Sequence, residues 1–398
     1  MHQIRFGSEI NLLFVIQTVN NAGFSASLPF IAIYLLKVRQ VAVSEVGIIY
    51  LLSGILVVGQ ILSGRLTDSF GARKLILAEL AASVLASAAL IVLVLSRASV
   101  ILFFVLYPVL SFVNSASQLT MSTIVANHKR SDRPREFALL YTGSNIGFTI
   151  GPAMGGLIVT YYGYAALFLS QLSCSLLAFV ICLSRLYVST GIEQEQKEVE
   201  KDSIKQKLPS SVILFFLLVF ASWFLIGYAI IPLSIYASNF LGMSNLLLGY
   251  LVATNGLLIV ILQLPFSRMM NTHNRIILSL ALAGALQACG YFLMSSLRTF
   301  AGLEAVMVVL TLGELLIAVP SQFVTTLYSG GGKSGTFQGY FSAISRAGIY
   351  LADFVGPFLL GFFFSSPQVS WYIVSGISIL TGVGFVLLST KWRTFWRE

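Results

Sequence analysis

The chain has 398 residues, of which 57% are hydrophobic and only 10% charged, and its mean hydropathy is +0.88. A water-soluble domain carries about 25% charged residues, so a soluble globular protein is excluded, and a β-barrel would alternate in segments of about ten residues, which are absent. The net charge of +9 comes from bases scattered over short polar loops, a pattern that fits membrane topology and not nucleic-acid binding.

Apolar runs of about 20 residues, the length of a spanning helix, recur almost end to end. In chain order, hydropathy predicts twelve helices near 10–36, 45–66, 75–96, 100–126, 137–160, 165–187, 211–238, 246–270, 276–296, 300–326, 337–363 and 371–390. The N-terminal MHQIRFGSEI is short and polar and has no small-residue cleavage site, so no removable signal peptide is expected. The longest hydrophilic stretch, 188–209, is charged and lies mid-chain. It predicts a cytoplasmic linker between a six-helix half over 1–187 and another over 210–398. Lys and Arg gather on the side that carries Arg73, Lys74, Lys129, Arg130, Arg133, Arg135 and both chain ends; only Lys37, Arg39, Arg97 and Arg298 fall on the other. That asymmetry puts both termini in the cytoplasm of a multi-pass, all-α protein of the cell membrane. Cys174, Cys182 and Cys289 all lie in apolar segments and read as packing residues.

Polar residues inside these helices are the candidate site. Helix 1 carries Gln17, Asn20 and Asn21, helix 4 Asn114 and Gln118, helix 5 Tyr141 and Asn145, helix 7 Trp223 and Tyr228, and helix 8 Asn255. Amides at membrane depth must face protein or a wet cavity. Each alone reads as an interhelical hydrogen bond. Together they suggest a cavity ringed by amides and aromatics, suited to an amphipathic or cationic organic molecule. Between helices 2 and 3 a compact turn holds Gly64, Asp68, Gly71, Arg73 and Lys74. In helix 5, Gly147, Gly151, Gly155 and Gly156 surround Pro152 and predict close helix contacts.

Glu314 falls near the middle of helix 10, where a charged side chain costs at least about 2.5–3.5 kcal/mol on insertion scales. A carboxyl at that depth can take up a proton or, ionised, hold a cationic substrate. Arg346 and Asp353 in helix 11 are seven apart and share a face, with Asp353 expected at a depth similar to Glu314. Either Arg346 and Asp353 neutralise one another, or Asp353 and Glu314 lie close and share protons. Glu79 and Glu304 sit within about two turns of helix ends and are expected either to reach the membrane interface or to pair locally. Gly330-Gly331-Gly332-Lys333-Ser334 has the look of a phosphate loop, but position 327, where that pattern needs glycine, is leucine.

The halves repeat. Gly47 and Gly54 recur as Gly249 and Gly256, Gly151-Pro152 as Gly356-Pro357, and Pro29 and Tyr34 roughly as Pro232 and Tyr236. Parallel repeats of this kind build many secondary transporters, with substrate near the midplane between them. The turn G-x-L-x-D-x-x-G-x-R-K over 64–74 resembles the signature between helices 2 and 3 of the major facilitator superfamily. The G-x-x-x-G-P-x-x-G-G of helix 5 resembles the mark of its proton-coupled antiporters, and Gly313-Glu314 with Pro320 resembles helix 10 of its twelve-helix multidrug/proton antiporters.

The resemblance implies two pseudo-symmetric six-helix bundles and export by alternating access, with the proton as coupling ion and no other cofactor. It also implies that Glu314 binds protons and cationic drugs. The sequence departs from that family in lacking a base in helix 4 near Tyr107-Pro108 and an acid in helix 1. A carrier of a neutral sugar, peptide or metabolite, or a non-transporting membrane sensor, stays open as an alternative. An enzyme is not expected: there is no nucleophile–base pair, and His2, His128 and His273 fall near the cytoplasmic surface. The expected partners are the lipid bilayer, a small-molecule substrate and protons, with the chain a monomer.

Overall fold

In a bilayer every backbone polar group must be satisfied internally, which a helix does within its own segment. The computed structural model describes residues 3–58, 71–126, 133–186, 209–269, 273–328 and 334–395, and these are almost wholly helical, with no strand among them. The first helices are α1, Gln3–Lys37; α2, Val43–Val58; α3, Ala72–Leu95; and α4, Val100–Ala126. The run Arg133–Arg185 turns at Gly163, whose φ of 79° and ψ of −179° lie outside the helical region and favour glycine. It is two helices, α5 over 133–162 and α6 over 164–185. Then follow α7, Ser210–Tyr228; α8, Asn245–Met269; α9, His273–Met294; α10, Phe300–Tyr328; α11, Ser334–Phe362; and α12, Gln368–Phe395. Among the described residues nine helices, the Arg133–Arg185 run counted as one, are long and apolar enough to cross a membrane; two shorter apolar stretches are Val43–Leu56 and Leu278–Met294.

The seventh helix differs from expectation. It stops at Tyr228, and the chain resumes as a short helix, Ile231–Ile235, and a π-helical turn, Tyr236–Phe240. Pro232 accounts for the break: it has no N–H to donate to the Tyr228 carbonyl four residues earlier, and its ring would clash with it. The linker expected over 188–209 lies, except for Pro209, outside the described residues.

Packing repeats along the chain. In the first group α1 packs on α5, α3 on α4 and α6, and α2 on α4; six helices later α7 packs on α11, α9 on α10 and α12, and α8 on α10. The groups meet along two seams that are themselves equivalent, α5 with α8 and α2 with α11. The repeated glycines lie in these seams. A Cβ on Gly47 would stand 2.5 Å from the Phe354 carbonyl oxygen, and one on Gly249 would stand 2.5 Å from that of Pro152. Backbone touches backbone at both places, which only glycine permits.

The buried apolar side chains differ between the two ends. One large cluster joins both groups at the end away from the termini, through Phe30, Tyr34, Val46, Leu233, Leu248 and Leu360 among others. At the termini end the groups have separate cores, one around Leu13, Ile76, Met121 and Cys182, the other around Phe215, Ile276, Val324 and Phe385. Among the described residues the two groups therefore share one core at the far end and keep separate cores at the termini end.

Candidate functional site

Glu314 sits at the middle of α10, fourteen residues from Phe300. It is half-buried, and its Oε2 accepts a hydrogen bond of 2.8 Å from Asn255 Nδ2 of α8. The same Asn255 nitrogen donates to Thr311 Oγ1 at 3.0 Å, one turn before Glu314. Tyr141 of α5, in the other group, lies close enough to feel the Glu314 charge and is 46% exposed. Asn145, one turn on, is held by the Tyr141 carbonyl at 3.0 Å. An acid, an amide, a hydroxyl and a tyrosine thus lie together beside the seam between α5 and α8. Thr149 packs against Gly256 in that seam.

Asp353 has different surroundings. It lies nine residues from the far end of α11, where Glu314 is fourteen from the far end of α10, so it sits about 7–8 Å higher along its helix than the equal depth expected. It is 5% exposed, and its Oδ1 has no hydrogen-bond partner among the described residues. Tyr50 of α2, Tyr107 of α4 and Tyr350 of its own helix lie near enough that a charge on it would act on their hydroxyls. Tyr350 also feels Arg346, one turn nearer the termini end, so it stands between the acid and the base. The hydroxyls of Tyr350 and Ser111 of α4 lie 3.3 Å apart across the two groups.

The amides of the first group are engaged among themselves. Asn20 Nδ2 donates to Asn114 Oδ1 at 2.9 Å and to Ser117 Oγ at 3.3 Å, and Asn20 Oδ1 accepts from Ser175. Asn21 Nδ2 donates to the Ser144 carbonyl at 2.6 Å, while Gln118 Nε2 donates to Asn21 Oδ1 at 3.3 Å. Gln17 is buried, and Glu79 of α3 accepts from Thr120 Oγ1 at 3.0 Å. This network ties α1, α3, α4, α5 and α6 together. Replacing Asn20 with Ala removes the donor to Asn114 Oδ1 and leaves Ser175 only its bond with Ser83 at 2.9 Å. It is expected to cost about 1–3 kcal/mol, read as a lower melting temperature of the purified protein.

Among the aromatics, Trp223 is half-buried, with its ring 6.2 Å from Phe341 and its Nε1 without a partner among the described residues. Tyr228, expected on the cavity wall, is fully buried, 5.4 Å from Trp371 and 6.1 Å from Tyr291. The helix-5 glycines divide between two faces. Gly147, Gly151 and Gly155 press on the α1 backbone from Thr18 to Ala26, and Gly156 presses on Asn245 and Gly249 of α8. Of the charged turn, Gly64 and Asp68 lie outside the described residues. Gly71 has φ 81°, a glycine conformation; Arg73 Nη2 donates to the Leu183 carbonyl of α6 at 3.2 Å, and Lys74 is exposed. Sequence reasoning missed Thr311, Tyr50 and Tyr350. A signal existed for the last: Tyr350 is four residues after Arg346 and three before Asp353, on their face.

Comparison with known proteins decides the family. The family model described as Major Facilitator Superfamily matches residues 13–352. The chain belongs to the major facilitator superfamily. It is 22% identical over 361 residues to the uncharacterized transporter YttB of Bacillus subtilis (strain 168), covering 88% of each chain. To the uncharacterized transporter YdeE of Escherichia coli (strain K12) it is 25% identical over 395 residues, covering 93% of each. The crystal structure of the nucleoside transporter NupG superposes with a TM-score of 0.75 at 14% identity, covering 95% of this chain and 99% of that one. This facilitator-superfamily protein is accordingly a multi-pass membrane transporter.

Proposed function

We propose that this transporter exports small hydrophobic or cationic organic compounds in exchange for protons, by alternating access between two six-helix halves. In this reading there are twelve spans, the gathering of Lys and Arg on one side puts both termini and the linker 188–209 in the cytoplasm, and the end with separate cores faces the cytoplasm. Glu314 is the exchange site: ionised, it holds a cationic substrate against the Tyr141 ring, and protonated, it releases it. Asp68 and Arg73 latch the cytoplasmic side when the far end opens, and the glycine face around Pro152 limits leak.

What carries this reading is the half-buried Glu314 at mid-helix, held by Asn255 at 2.8 Å, with Tyr141 of the other half near enough for its hydroxyl to sense a charge there. A carboxylate beside an aromatic face suits an organic cation. Each proton crossing 100 mV of membrane potential supplies about 2.3 kcal/mol. The test is efflux of a fluorescent cationic dye from energised vesicles. Dye is expected to move when a pH gradient is imposed and to stop when it is collapsed. Flux of a neutral sugar or peptide in place of the dye, indifferent to the gradient, would overturn the reading in favour of a neutral-solute carrier.

A further inference from the structure

We propose that Asp353 is a second proton-binding site, separate from the Glu314 site, and that its protonation locks the α2–α11 seam shut. It rests on the proposed function in one respect, alternating access, and its test reads a distance and not a flux, so the two can fail separately.

The seam is built around this residue. Next to it, the Phe354 carbonyl meets Gly47 of α2; one turn towards the termini end, Tyr350 meets Gly54; towards the far end, Gly361 meets Ser44. Every one of these contacts joins the two halves, so opening the far end must break them and wet Asp353. In the sealed arrangement Asp353 is 5% exposed and its Oδ1 has no partner among the described residues. The groups that face it are hydroxyls, not cations: Tyr50 from α2, Tyr107 from α4 and Tyr350 from α11 itself. Tyr50 donates its proton away, to the Leu28 carbonyl at 2.9 Å, and Tyr350 is shared with Ser111. Arg346 lies beyond Tyr350 towards the termini end. On α7, packed against the other face of α11, Tyr228 lies beside Gly356.

An ionised carboxylate sealed from water without a cation against it is strongly disfavoured, whereas the neutral acid is tolerated. The shut seam therefore accommodates the protonated form, and loss of the proton works to part α2 from α11. Because the seal is tightly packed, the ligand it can exchange is a proton and nothing larger. The linkage runs both ways: whatever opens the far end favours proton release there, and proton binding favours the arrangement open at the termini end.

The experiment places spin labels at Val38→Cys and Phe364→Cys, two exposed positions at the far end, one in each half. The background carries Cys174→Ala, Cys182→Ala and Cys289→Ser, and the protein is in lipid nanodiscs without substrate. Raising the pH is expected to shift the label distances to longer values. Asp353→Asn, which stays neutral, is expected to lose that shift and keep the short distance throughout. Glu314→Gln is expected to keep it. A distance that ignores pH in the parent, or an Asp353→Asn protein that opens like the parent, overturns the proposal. So does loss of the shift in Glu314→Gln, a comparison that holds even if Asp353→Asn fails to fold.

Discussion

Glu314→Gln is expected to reduce gradient-driven dye efflux to the leak of vesicles without the protein, while the purified variant still binds dye. Gln keeps the size of the side chain and an oxygen to accept the 2.8 Å bond from Asn255, so the wall of the cavity is preserved. What it lacks is a proton to give up. A site that cannot alternate between charged and neutral forms cannot exchange proton for cation, although its aromatic and amide contacts still attract the dye. Loss of the charge-assisted interaction removes about 1.5–3 kcal/mol of cation binding, a weakening of roughly tenfold to a hundredfold. Dye binding by fluorescence anisotropy and efflux on the same preparation separate the two effects. If efflux persists at the parent rate, Glu314 is a structural acid and coupling lies elsewhere.

Two glycine substitutions of equal size are expected to fail in different ways. On Gly151 a Cβ would stand 2.0 Å from Ser25 Oγ and 2.5 Å from the Ala22 carbonyl oxygen, inside the tightest pairing of the first half, α1 with α5. On Gly249 it would stand 2.5 Å from the Pro152 carbonyl oxygen, in the seam between halves. Overpacking costs about 1–3 kcal/mol and sometimes more. At Gly151 the strain cannot be relieved without parting helices that hold one bundle together, so Gly151→Val is expected to yield little folded protein by size-exclusion chromatography. At Gly249 it is relieved by opening the far end, a motion that the proposed alternating access requires. Gly249→Val is expected to fold but to become reactive, from the side opposite the termini, at a Thr149→Cys probe that the parent protects. Equal folding losses in the two variants would contradict the division of the molecule at that seam.

Much of this was legible along the chain. Spans follow from runs of apolar residues, because the bilayer imposes one rule on every segment. The repeated Gly47/Gly54 and Gly249/Gly256 stood out, and so did Glu314, because charge is rare at that depth. Less legible was the fate of the amides. Asn20, Asn21, Asn114 and Gln118 looked like a cavity lining, yet they bond mainly to one another and to serines of the first half. A polar residue inside a helix signals a need for a partner without saying whether that partner is protein or substrate. Tyr228 failed as a cavity residue for a similar reason: its ring is taken by Trp371 and Tyr291, from helices far along the chain.

The sequence by itself determined that this is a helical membrane protein built from a repeat, with a lone acid at mid-depth in α10, since hydropathy and spacing act locally. Only the tertiary structure decided that Asn255 bonds to Glu314 with Tyr141 nearby, that Asp353 is buried near tyrosines at a seam, and that the two groups share one core at the far end. Those facts depend on which helices touch and at what height. Residues some 60 to 300 positions apart settle that jointly by packing, and no local pattern encodes it.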